Sequence, residues 1–99
     1  MERITVVDRN GNFAGWFDMD KATEIAWYKE GDPYTTGKTL LATRMGKLVI
    51  HPWTNYATNN LYRFAEDEAE VAEILAKGLN LDEKELTEKL KEILAKYEL

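Results

Sequence analysis

Leu86, Leu90, Ile93, Leu94 and Tyr97 fall at helical spacing, four, three, one and three residues apart. That rhythm places all five on one side of an α-helix. A helix with a single apolar stripe gains little by standing alone; it must lay the stripe on another layer or on another chain. Its start is also marked. Asp82 and Glu85 have the spacing of a capping box, and Leu81 and Leu86 that of a hydrophobic staple. Glu85, Glu88, Lys89 and Glu92 lie on the opposite side. A preceding helix is predicted to begin at Ala65 or Glu66, where early acids suit the positive end of the helix dipole. Val71, Ala72, Ile74 and Leu75 make its stripe, Gly78 ends it, and Leu79-Asn80-Leu81 lead to the final helix. The last third of the chain is thus a helix pair, and the first two thirds must supply what it covers.

Those two thirds read mostly as strands. RITVV at 3–7 and FAGWF at 13–17 flank Asn10-Gly11, which suits a two-residue type I′ hairpin turn. TLLATR at 39–44 and KLVIHPW at 47–53 form a second hairpin, with Gly46 taking a positive φ; Pro52 cannot donate to a ladder and marks a frayed or edge position. Residues 54–60 are a polar loop, and LYRF at 61–64 is a short further strand. Between the hairpins, Ala22, Ile25 and Ala26 share a helical face, Asp18 or Asp20 can cap it, Gly31 suits its C′ position and Pro33 prevents resumption. A helix is therefore expected over 19–30. The expected class is α+β: one domain over 1–99, an antiparallel sheet of about five strands, order ββαβββαα, with the last two helices as an αα-hairpin over the sheet.

Residues 31–39 read GDPYTTGKT and end like a phosphate-binding loop. That loop needs glycine five places before Gly37, where Asp32 stands, and it follows a strand and opens a helix. Here the order is reversed, so no nucleotide is expected.

The 99 residues include no cysteine, serine or glutamine and one histidine. Serine and cysteine nucleophiles, disulfides and thiolate or multi-histidine metal sites are therefore excluded. No metal or cofactor is expected. No apolar run approaches the ~18–20 residues that span a bilayer, and the first residues show no secretory pattern. A cytoplasmic protein without membrane contact is expected. The net charge of −5 is uneven: residues 66–99 hold eleven acids and five lysines, whereas residues 1–65 are nearly balanced. An acidic helical half argues against nucleic acid as partner. Glu and Lys supply 21 of the 99 residues, a trend of thermophiles, though six asparagines run against it.

TTGKTLLATRMGKLVIHPW followed by LYRFAEDEAE resembles a family of small uncharacterised proteins found in bacteria, archaea and mobile elements. The shared layout is a Thr-Gly segment, a strand, a glycine turn, a strand ending near Trp, and a strand entering an acidic helix. The resemblance implies an accessory or mobile-element protein and carries no catalytic residue across.

Two candidate sites emerge. His51 alternates with Val49 and Trp53, while Leu48 and Ile50 form the core face, which sets His51 near Arg44 across the hairpin. Arg44, His51, Trp53 and Tyr62 are thus the candidate ligand-binding or hydrolytic group. The stripe of Leu86, Leu90, Ile93, Leu94 and Tyr97 is the candidate partner surface. Since no catalytic set assembles, the expected function is a non-enzymatic protein–protein interaction module, binding another protein or a second copy of itself. The alternatives are the ligand site around His51 and Arg44, and an acidic inhibitor of a nucleic-acid-binding protein.

Overall fold

The computed structural model describes residues 2–56 and 61–99. Its strands are β1 (Arg3–Val7), β2 (Phe13–Asp18), β3 (Thr23–Glu30), β4 (Thr36–Ala42), β5 (Leu48–Thr54) and β6 (Arg63–Phe64); a 3₁₀ turn (Met19–Lys21) joins β2 to β3. The helices are α1 (Glu68–Leu79) and α2 (Glu83–Lys96). The α+β class and the helix pair agree with the sequence reading, but the sheet is larger and mixed. Six strands run in the order β2-β1-β6-β5-β4-β3, with β1 parallel to β6 and every other pair antiparallel.

The expected helix over 19–30 is the principal correction: most of it is strand β3. The reason is local. Thr23, Ile25, Trp27 and Tyr28 are β-branched or aromatic and favour a pleated surface. A register shift between Glu24 and Ala26 inserts Ile25 as a bulge. Ile25 and Ala26 consequently both pack on the same core, and this breaks the strict alternation that announces a strand. Gly31 then serves a turn rather than a helix end, with φ +93°.

Smaller differences have similar causes. The first hairpin turns through residues 8–12 rather than through a two-residue loop. Asp8 Oδ1 accepts from the backbone N–H of Asn10 and of Asn12, and Gly11 alone in that loop takes a positive φ. Gly46 takes the positive φ expected of it. α1 begins at Glu68 with Asp67 as its cap, and it runs past Gly78 to Leu79, where Asn80 adopts the left-handed cap. The capping box of Asp82 and Glu85 forms as read. Of the expected polar loop over 54–60, residues 57–60 lie outside the described residues.

The connection from β2 to β3 shapes the whole sheet. These strands are its two edges. From Asp18 to Thr23 the chain reaches at most roughly 17 Å, whereas the five steps across a flat six-stranded sheet span about 24 Å. The sheet must therefore curl until its edges approach. The curl explains a second core on the face without helices: Val6, Phe17, Leu41 and Val49 are buried there, with Ile4, Met19, Ala22, Tyr62 and Phe64 around them. On the outer face Ala26, Tyr28, Leu40, Ala42, Leu48 and Ile50 meet Val71, Ile74 and Leu75 of α1 and Ile93 of α2. Beyond α2, Glu98 exchanges backbone hydrogen bonds with Gly46 and Leu48 at 2.7 and 2.8 Å. Among the described residues no helix is long and apolar enough to cross a membrane.

Candidate binding cleft

The Gly37-Lys38-Thr39 segment lies inside β4, opposite Trp53, Pro52 and His51 of β5. Gly37 is there for space. A Cβ on it would sit 2.5 Å from the Trp53 ring and still closer to the Tyr28 carbonyl oxygen. Lys38 points to the helix face, where its Nζ reaches Glu70 at 2.8 Å and Glu73 at 3.3 Å. Arg63 of β6 grips the same Glu70 with both terminal guanidinium nitrogens, and Tyr28 donates its hydroxyl to Glu73 at 2.9 Å. Glu70 and Glu73 are one helical turn apart on α1, so three strands are tied to one helix.

The charges respond accordingly. Hydrogen bonds from Arg63, helped by Lys38, hold the Glu70 carboxyl at about 2 against the opposing effect of burial. Burial and the Glu73 carboxylate push the Tyr28 hydroxyl up to about 12. Burial alone would lower Lys38, but its bonds to Glu70 and Glu73 outweigh that and raise it. Each member is paired to another, and together they fasten α1 to three strands.

The four candidate ligand residues separate. His51 pairs across the hairpin with Thr39, not Arg44. It stacks on Tyr62 with ring centroids 4.1 Å apart, and Tyr62 meets Phe17 edge-on at 6.0 Å. His51 Nδ1 lies 2.7 Å from the Leu61 carbonyl oxygen, which can only accept, so Nδ1 carries the proton. Burial, followed by the charge of Glu2, raises the Tyr62 hydroxyl. Trp53 lies across Gly37. The structure thus brings His51 and Tyr62 together and leaves Arg44 elsewhere.

Arg44 instead lines a cleft of about 470 Å³, where β2 approaches the β4–β5 turn. Phe17 and Phe64 contribute aromatic surface, Trp16 and Met45 lie at its border, and Lys21, Arg44 and Lys47 bring three cations to one acid, Asp18. Asp18 already accepts from the Asp20 N–H at 3.0 Å. Gly15 lies beside Phe64, whose ring would meet a Cβ there at an ordinary contact distance of 3.5 Å. Lys47 Nζ stands 5.1 Å from the Phe64 ring centroid. Sequence reasoning found Arg44, but it could not join it to Trp16 and Phe17. Their proximity follows from the curl of the sheet, and the only signal was the shortness of the link between two strands, one of them misread as helix.

The five stripe residues of the last helix turn toward the body: Ile93 is buried, and Leu86, Leu90, Leu94 and Tyr97 pack half-buried on the outer core. Among the described residues no three His, Asp or Glu side chains group as metal ligands. The chain matches no protein-family model, no curated protein and no solved structure, so the site is read from its own geometry.

Proposed function

We propose that this protein is a non-enzymatic binding module that holds another protein by strand addition along β2. The carrying observation is the contrast between the two sheet edges. Exposed edges invite pairing with further strands, and proteins usually blunt them with charge or cover. β3 is blunted in both ways. It carries Glu24, Lys29 and Glu30, and α1 lies on it so closely that a Cβ on Gly78 would come within 2.6 Å of the Trp27 carbonyl oxygen. β2 reads FAGWFD, with one charge at its very end and a single bulge at Ala14 as its one irregularity. Phe13 is 71% exposed and Trp16 49%, and Ala14 between them is exposed too. An incoming strand would gain backbone hydrogen bonds along β2 and apolar contact with Phe13 and Trp16, the recognition mode of β-augmentation. The partner is another protein or a second copy paired edge to edge. A cysteine-free chain suits a reducing cytoplasm as the place for it.

The test is Ala14→Lys, which places a charge on the β2 edge without touching the core. Wild-type protein used as bait in lysate of its native host, or sized by light scattering from micromolar to millimolar concentration, should hold a defined partner or a second copy. The variant should lose that association while its circular dichroism stays unchanged. Equal association by both proteins, or by neither, removes the reading.

A further inference from the structure

We propose that the cleft bordered by Arg44 is a binding site for a small organic anion with a flat apolar body, an aromatic carboxylate in chemical class. Three features of the cleft point to one occupant. Its volume, about 470 Å³, lies in the range of small-molecule sites, roughly 300–1,000 Å³. Its apolar surface comes from Phe17 and Phe64, with Met45 at the mouth, and flat rings pack best against a flat partner. Its charge is complementary to an anion, in a chain whose net charge is −5.

The charge argument rests on convergence, since Lys21, Arg44 and Lys47 line one cleft. Several cations elsewhere are paired: Arg9 with Glu66, Lys38 and Arg63 with Glu70, Lys77 with Glu30, and Lys89 with Glu92, while Arg3 lies over the Trp16 ring. Arg44 and Lys21 have no carboxylate within ion-pair distance among the described residues, while Lys47 reaches the Leu99 main-chain oxygen at 3.4 Å and lies over the Phe64 ring. Asp18 is the one acid in the lining, and it caps the 3₁₀ turn. An uncommitted guanidinium beside an aromatic wall offers a carboxylate a bidentate partner. Lys21 enters the same space from the 3₁₀ turn, and Lys47 from the far end of the turn that carries Arg44. The site is therefore assembled from three separated segments and held open by the curl of the sheet.

The probe is 2-naphthoate, compared with its uncharged analogue 2-naphthamide, each titrated into the ¹⁵N-labelled full chain. Naphthoate should give saturable shifts at residues 16–18, 21, 43–47 and 64. Naphthamide should bind about tenfold or more weakly, as expected when a charge-assisted hydrogen bond is lost. Arg44→Gln should weaken naphthoate by a similar factor and leave naphthamide unchanged. Ala14→Lys should leave naphthoate binding intact, and Arg44→Gln should leave protein association through β2 intact, so the two sites fail independently. Equal affinity for acid and amide, shifts centred elsewhere, or loss of protein association together with naphthoate binding in Arg44→Gln overturns the assignment.

Discussion

Gly37 illustrates how one residue can be misread and then explained. In the sequence it is the first letter of Gly-Lys-Thr, a phrase that suggests phosphate. In the fold it is the point where β4 passes between the Tyr28 backbone and the Trp53 ring. Gly37→Ala places a methyl group where neither neighbour can yield without moving the β3–β4 pair. Overpacking of this kind costs about 1–3 kcal/mol, so the urea midpoint should fall with little change in slope. An unchanged midpoint would mean that the two strands have slack at this point. That Gly37 begins no phosphate loop was legible from Asp32 and the reversed element order. That it makes room for an indole was not, because Trp53 and Tyr28 meet it only through pairing on both sides.

Among the elements, α2 was the most legible and β3 the least. The α2 boundary is fixed by local chemistry: Asp82 accepts from the Glu85 N–H at 2.8 Å, and Glu85 accepts from the Asp82 N–H at 3.1 Å. Asp82→Ala removes one half of that exchange and should cost about 1 kcal/mol, the usual worth of an N-cap side chain. Chemical denaturation measures the loss, and faster hydrogen exchange in the first turn of α2 would locate it. β3 was hidden because its bulge sets Ile25 and Ala26 side by side on the outer core, a pattern that imitates a helical stripe. The bulge exists only in relation to β4, so a reading of β3 by itself has no access to it. β2 was recognised as a strand; that it ends as an unpaired edge depended on where β3 went.

At the scale of the molecule, two cores lie on opposite faces of one curled sheet, and a polar network fastens the helix layer to the outer one. Arg63, Lys38 and Tyr28 come from β6, β4 and β3, and converge on Glu70 and Glu73 of α1. Glu70→Gln should cost about 2 kcal/mol at neutral pH, the scale of hydrogen bonds to charged groups. The pH dependence has a definite sign. The folded-state value of Glu70, about 2, lies below its ordinary 4.5. Its contribution is thus complete above about 4.5 and drains away as pH falls through about 2. Wild type should lose stability over that acid window, and Glu70→Gln should flatten the loss. Parallel acid limbs for the two proteins would show that the network does not hold α1 in place. Tyr28 acts at the other end: its value is raised to about 12 from 10.0, so its contribution is complete below about 10 and is lost as pH rises through about 12.

The sequence by itself determined the helix pair, most strands, the two glycines at positive φ in the hairpin turns and the absence of a phosphate loop. Each of these follows from interactions within a few residues: capping, turn geometry, or the rhythm of apolar side chains. Tertiary structure alone decided that β3 is a strand, that β1 and β6 run side by side, and that the sheet curls. The cleft follows from that curl, since Arg44 in a turn and Phe17 on a distant strand become neighbours only when a short link draws the two edges together. Contacts between segments far apart in the chain are set by closure of the whole sheet, and no local pattern encodes them.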